Sequence, residues 1–216
     1  MGRSTEQNSC RIAALQGASS SQIQALLANF AARVALNGHD VAGVVELATA
    51  KPNRGCRTFS LRDLSTGAII SISQDLGPGS TACNLDTSGL AQACAAVERA
   101  IALGPDIVIL SKFGKQEAEC GGLADAFRAA VAAGLPVVTA VSPSLTEAWR
   151  GFAGPLSDYI LADRGSLDAW WSRTKAGTLS VRQVRLATSR RTGLWAHARQ
   201  GAKERRQLTR TLPRSK

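Results

Sequence analysis

Charged side chains gather in one stretch that joins a strand-like run to a helix-like run. Lys112, Lys115, Glu117 and Glu119 follow a predicted strand at 106–110, which is apolar and largely β-branched after Asp106. Continuous runs of this kind are typical of strands buried on both faces. Because open parallel sheets bind ligands beyond the carboxyl ends of their strands, we predict a ligand-binding loop at 111–122 that includes Gly114. The alternative interpretation is an ordinary solvated connection between a strand and a helix.

A second candidate is the small-residue turn that follows the predicted short strand at 11–16. Gly17, Ser19, Ser20 and Ser21 precede an amphipathic helical pattern. Backbone amides at a helix start, together with the helix dipole, favour a bound anion. The phosphate-loop pattern GxxxxGK(S/T) is absent, because neither a second glycine nor a lysine follows before the helix. The serines are equally suited to capping the helix, so both interpretations stay open.

The cysteines offer one further candidate and argue against a metal site. Cys83 and Asn84 lie on a predicted loop before a helix start, where a thiol pKa can be lowered, although an inert small residue is the alternative. Cys94 falls on the apolar face of that helix and is predicted to be core. Five cysteines without a CxxC pair, and two histidines, give no zinc pattern, so we predict no metal ligands and a reduced, cytoplasmic setting. We expect no signal peptide and no membrane span.

Hydrophobic periodicity supplies the elements that would position these residues. It predicts an α/β domain with a mostly parallel sheet flanked by helices and an inserted β-hairpin. Helical patterns include Leu123, Phe127 and Val131 on one apolar face, and the tryptophans at 170 and 171 are expected to cover one end of the core. The predicted strands lie at 11–16, 41–46, 57–61, 68–73, 106–110, 136–141 and 159–162.

The net charge of +10 is confined to the carboxyl-terminal part of the chain. Residues 175–216 contain 12 Lys and Arg against one acidic residue, whereas residues 1–174 contain 14 against 15. We therefore predict a domain at 11–173 and a basic, disordered tail at 174–216. Residues 175–216 are candidates for non-specific contacts with nucleic acid, which would weaken steeply with salt.

Four segments resemble a bacterial family of domains of unknown function that is often encoded beside molybdate ABC-transporter genes. They are ACNLD (82–86), GPDIVILSKFGKQEAECGGL (104–123), GLPVVTAV (134–141) and EAWRGFAG (147–154). The resemblance spans residues 11 to about 171. The same architecture is distantly similar to the small nucleoside-triphosphatase family related to adenylate kinases, whose members carry a hairpin like TFSLRDLSTG (58–67). The resemblance thus implies a P-loop NTPase-like fold.

The Walker B segment of those triphosphatases, of the form DEIGKME, aligns with residues 111–117. Gly114, Lys115 and Glu117 match it, whereas Ser111 and Lys112 replace the acidic pair that would hold Mg²⁺ and the attacking water. The resemblance therefore implies a degenerate NTPase scaffold that is more suited to binding than to efficient hydrolysis.

We predict a nucleotide- or oxyanion-binding accessory protein linked to molybdenum or molybdate handling. Its ligand would be a small anion, with a nucleotide and molybdate as the two candidates. One alternative is an active nucleoside triphosphatase that uses Glu117 or Glu119. Another is a nucleic-acid-associated protein that acts through its basic tail.

Overall fold

A seven-stranded sheet forms the centre of the computed structural model, which describes residues 11–47, 58–74 and 85–176. The strand order is β4-β3-β2-β5-β6-β1-β7. Strands β2, β5, β6, β1 and β7 are parallel to their neighbours in this set, whereas the hairpin β3–β4 adds antiparallel to β2. The predicted α/β fold with an inserted hairpin is confirmed. The strands are β1 Ile12–Gln16, β2 Val41–Glu46, β3 Ser60–Asp63, β4 Ile69–Ser71, β5 Ile107–Phe113, β6 Val137–Val141 and β7 Ser157–Leu161.

Helices cover both faces of the sheet. Helices α1 and α6 pack on one face, and α2, α4 and α5 pack on the other. Successive residues of β1 point to opposite faces, so Ile12 and Ala14 join one core cluster while Ala13 and Leu15 join the other. The helices are α1 Ser20–Leu36, α2 Thr87–Ala102, α3 Lys115–Ala118, α4 Ala124–Ala132, α5 Thr146–Ala153 and α6, described over 164–176.

Helix α1 follows directly from its sequence pattern. Ser19 is its N-cap and forms a capping box with Gln22, which fixes where the helix begins. Four large apolar residues at helical spacing then bury one face against the sheet. The helix ends at Leu36 with Asn37 as its C-cap, and Gly38 adopts a left-handed φ of 79°. These four large buried residues are Ile23, Leu27, Phe30 and Val34.

Strand β5 is longer than the apolar run predicted. The expected loop at 111–122 is wrong in its first part, because Ser111, Lys112 and Phe113 continue the strand. Lys115–Ala118 then form the short helix α3 rather than loop. Phe113 is 1% exposed and packs edge-on against Trp149, with ring centroids 4.9 Å apart. This aromatic contact holds the strand end against the α5 side of the sheet. Lys112 consequently lies on a strand, with its side chain exposed, rather than on a loop.

Two other expectations need correction. The tryptophans at 170 and 171 belong to helix α6, which packs beside α1 on the sheet face rather than over one end of the core. Val131, expected on the apolar face of α4, is 38% exposed, because Ala130 provides the last buried position of that helix. None of the helices in the described ranges is both long and apolar enough to cross a membrane. The basic tail from 177 onward lies outside the described residues, and the boundary near 173 stays a prediction.

Candidate functional site

The candidate site is an open cleft at the carboxyl ends of three neighbouring parallel strands. Strands β5, β6 and β1 end at Phe113, Val141 and Gln16, and the segments that follow them line a cleft of about 690 Å³. We call it the edge cleft. Two of the sequence-predicted regions therefore meet in it, namely the Gly17 turn and the end of β5. Its lining includes Gly17, Ala18, Ser19, Ser20, Lys112, Gly114 and Ser142.

The Gly17 turn presents a helix start to the edge cleft. Gly17 adopts a φ of +92°, a left-handed conformation that turns the chain from β1 into α1. The Ser19 hydroxyl accepts from the Gln22 amide, which confirms the capping interpretation for that residue. The backbone amides of Ser20 and Ser21 belong to the first turn of α1, where helix geometry provides no acceptor within the helix. Ser20 lines the edge cleft, whereas Ser21 lies on the same turn but outside that lining.

Lys112 is paired with an acid that the sequence analysis did not single out. Its ammonium lies 2.7 Å from Oε2 of Glu46 and 5.8 Å from the centroid of the Phe59 ring. Glu46 is the last residue of β2, and the parallel register that joins Val44 to Leu110 brings Glu46 beside Lys112. The lysine charge in the cleft wall is thus largely balanced by a neighbouring carboxylate. An anion in the edge cleft would depend on amides and hydroxyls as well as on this lysine.

Glu117 organises the turn that follows β5. It is 5% exposed, and its two carboxylate oxygens accept from the amides of Gly114 and Leu123, each at 2.8 Å. Gly122 adopts a φ of +59°, and a Cβ there would lie 2.2 Å from Oε1 of Glu117. The carboxylate therefore holds both ends of a tight turn. This placement favours a structural role for Glu117 over the role of a catalytic base.

Lys115 and Glu119 lie on the exposed side of the same turn. Their side chains are 83% and 60% exposed, and Nζ of Lys115 lies 3.9 Å from Oε1 of Glu119. Lys115 does not line the edge cleft but borders a second cavity of about 270 Å³, which shares Lys112 and Gly114 with it. Glu119 does not line the edge cleft either. The sequence pattern alone had placed all these charges in one site.

Two further residues belong to this edge of the sheet and were missed. Ser142 follows β6 and lines the middle of the edge cleft. Gln24 of α1 is 6% exposed; its amide donates to the Ser111 carbonyl at 2.7 Å and accepts from the Glu46 amide at 2.9 Å. The sequence signal for this residue was a polar glutamine on the otherwise apolar face of a helix. Only the fold reveals which strands it joins.

The cysteines have separate positions. Cys94 is buried on α2, as predicted, and desolvation raises the pKa of its thiol. Cys120 is exposed and adopts a φ of 63° at the end of the Glu117 turn. Cys83 and Asn84 lie outside the described residues, so their predicted place in the site stays a prediction. Within the described ranges, no group of three or more His, Cys, Asp or Glu side chains could hold a metal ion.

Comparison with known proteins gives one family and one close relative. The family described as "Protein of unknown function (DUF2478)" matches residues 12–170. The chain is also 40% identical over 174 residues to a protein of Bradyrhizobium diazoefficiens named "Molybdenum import ATP-binding protein ModC 2". That alignment covers 80% of this chain but 19% of the relative, so most of the relative has no counterpart here. No solved structure gives a significant match.

Proposed function

The chain belongs to the DUF2478 family of proteins of unknown function, and on that premise we propose that it binds a phosphate-type or oxyanion group in the edge cleft. Its role would be that of an accessory protein on a degenerate NTPase-like scaffold, without efficient nucleotide hydrolysis. The observation that carries the proposal is the meeting of the α1 start, Ser142 and Lys112 in one cleft. Free amides at a helix start and nearby hydroxyls are the donors that tetrahedral oxyanions require.

The size of the edge cleft favours a nucleotide-sized ligand over a single oxyanion. Strand β6 lies between β1 and β5, so two inter-strand spacings separate the Gly17 turn from Lys112 by about 10 Å at the sheet edge. A chain of phosphates spans that width more fully than one tetrahedral anion does. The volume of about 690 Å³ also falls within the range of about 300–1,000 Å³ that is usual for small-molecule sites.

The residues at the strand end argue against efficient hydrolysis. Catalysis of phosphoryl transfer needs a positioned water and charge stabilisation, commonly through carboxylate-held Mg²⁺. Ser111 and Lys112 occupy the positions at which the resemblance to triphosphatases implies acids, and Lys112 pairs with Glu46. Both oxygens of Glu117 are engaged by backbone amides. The proposal therefore assigns binding, and not turnover, to this site.

The link to molybdenum rests on the relative. A protein named for molybdenum import and ATP binding shares this segment, and molybdate is a tetrahedral dianion that neutral amides and hydroxyls can bind. The shared segment lacks the GxxxxGK(S/T) pattern in this chain, so the ATP binding in the relative's name need not come from it. We propose molybdate and nucleotides as the two ligands to test first.

A pair of matched variants tests the proposal. Ser20→Asp adds a carboxylate to the cleft lining, where it would oppose an anion about 4 Å away by roughly 4 kcal/mol at an effective dielectric constant of 20. Ser21→Asp adds the same charge to the same helix turn outside the lining. A negative side chain in the first turn of α1 interacts favourably with the positive end of the helix dipole, so neither substitution should unfold the protein.

Calorimetric titration with molybdate, sulfate, ADP and ATP is the measurement. We expect at least one ligand to bind, Ser20→Asp to reduce its affinity more than tenfold, and Ser21→Asp to have a much smaller effect. Equal losses in both variants, or no binding of any of the four, would contradict the proposed cleft. Steady Mg²⁺-dependent ATP hydrolysis would contradict the proposed lack of turnover.

A further inference from the structure

The second cavity lies on the opposite side of Lys112 from the Gly17 turn. It is an open pocket lined by residues of the hairpin β3–β4, the start of α2, the end of β5 and the Glu117 turn. Its volume is about 270 Å³, and we call it the ring cavity. Six apolar side chains line it, and four of them are less than 9% exposed. The apolar walls are Phe59, Leu61, Ile72, Leu85, Leu90 and Leu123.

The polar end of the ring cavity is a charged pair held in a fixed position. Glu46 and Lys112 both line it, and they contact each other at 2.7 Å. The Glu46 amide is tied to Gln24, and the adjacent Leu47 amide donates to the Ser60 carbonyl at 2.9 Å. A carboxylate offers about four acceptor positions, so contact with one ammonium leaves Glu46 able to accept further N–H groups.

We propose that the ring cavity binds a bicyclic nitrogen heterocycle through an edge that combines an amide N–H with an amino group, as in guanine and pterin. Two adjacent N–H donors on such an edge match the two oxygens of the Glu46 carboxylate. Lys112 supplies a donor for a ring oxygen or nitrogen nearby. Adenine presents a lone pair where guanine presents a ring N–H, and this lone pair would be repelled by a carboxylate oxygen of Glu46.

The volume supports two rings. An apolar cavity of about 150 Å³ accommodates benzene, so about 270 Å³ leaves room for a bicyclic ring. The side chains of Leu61, Leu90 and Phe59 line the cavity and would contact the faces of the ring. The apolar lining suits an uncharged ring, whereas the polar end fixes its orientation.

The two cavities together suggest a single class of ligand. Lys112 and Gly114 line both, so a heterocycle in the ring cavity can carry a phosphate towards the edge cleft. That extension rests on the proposed function, whereas binding of the ring alone does not. Nucleosides without phosphate therefore test the two proposals separately.

Calorimetric titration of the full chain with guanosine, neopterin and adenosine tests the ring cavity. We expect guanosine or neopterin to bind about tenfold or more tightly than adenosine, because hydrogen bonds to a charged group discriminate by about that factor. The compound that binds more tightly, guanosine or neopterin, identifies the source of the ring. Its affinity should also rise more when a phosphate is added, as in GMP or neopterin phosphate. Equal affinity for adenosine would overturn the proposal.

Variants of the polar and apolar ends locate the binding. Glu46→Gln should abolish the preference over adenosine, and Glu98→Gln, an exposed acid on α2, should preserve it. Leu85→Trp should exclude the ring by filling the cavity, with its melting temperature confirming that it folds. Neither variant should abolish binding of whichever of molybdate, sulfate, ADP and ATP the wild type binds in the edge cleft, because neither Glu46 nor Leu85 lines that cleft. Anion binding without ring binding would overturn this inference alone, and ring binding without anion binding would overturn the proposed function alone.

Discussion

The carboxylate of Glu117 provides the sharpest test of whether this strand end serves structure or chemistry. Its two oxygens each accept from a backbone amide at 2.8 Å, and its side chain is 5% exposed. Glu117→Gln keeps the shape but turns one acceptor into a donor that faces an amide N–H. A lost hydrogen bond to a charged group contributes about 1.5–3 kcal/mol, so we expect the free energy of unfolding to fall by about 2–3 kcal/mol.

Equilibrium unfolding in urea measures this change. For a slope of about 1–3 kcal/mol per molar urea, the midpoint should fall by about 0.7–3 M with the slope unchanged. Glu119→Gln is the matched control, since that exposed acid makes one weak contact at 3.9 Å and should change stability by less than about 0.5 kcal/mol. Gly122→Ala tests the same turn from its other side, because the new Cβ would meet Oε1 of Glu117 at 2.2 Å.

The result that would refute this reasoning is an unchanged midpoint for Glu117→Gln. The two hydrogen bonds from backbone amides would then contribute nothing to the stability of the fold, and the carboxylate would be available for another role. If that variant also lost a Mg²⁺-dependent ATPase activity of the wild type, Glu117 would act as a catalytic group, as the alternative in the sequence analysis holds. Loss of stability without any such activity supports the structural role.

Two further predictions follow from shifted pKa values. Asp163 accepts hydrogen bonds from the Ser166 amide and hydroxyl at the start of α6, and these lower the pKa of Asp163 below its ordinary value of 3.8. Their contribution to stability is present above pH 3.8 and is lost as pH falls through the folded pKa. Asp163→Asn should therefore lower the melting temperature at pH 7, and the gap to wild type should narrow below about pH 3.8; a gap that widens in acid would contradict this. Desolvation raises the pKa of Cys94, so an aromatic disulfide reagent at pH 7.5 should label the exposed Cys120 and spare Cys94 in the folded protein, as peptide mapping would show. Equally fast labelling of both would mean that α2 opens readily.

The sheet and its helices were largely predictable because apolar runs and helical spacing are local signals. Residues 111 and 112 were not predicted as strand, because a serine followed by a lysine after an apolar run is a pattern typical of a loop. The aromatic contact between Phe113 and Trp149 extends the strand, and those residues are distant in sequence. Tertiary packing therefore overrode local polarity at that point.

The candidate site was less predictable because its decisive contacts depend on register. Glu46 and Lys112 meet only because β2 and β5 are adjacent and aligned, and no spacing along the chain reveals that pair. Ser142 enters the edge cleft because β6 separates β1 from β5. Glu117 was correctly placed near the strand end, but its amide partners favour a different role from the catalytic alternative.

The buried amide of Gln24 has a consequence for how a ligand would be received. Because one end of this amide donates to β5 and the other accepts from β2, α1 cannot slide along its axis without breaking both bonds. The first turn of α1 is thereby held in place before any anion arrives. Preorganisation of this kind reduces the entropy lost on binding, so the binding free energy in the edge cleft would not be reduced by a cost of moving the helix.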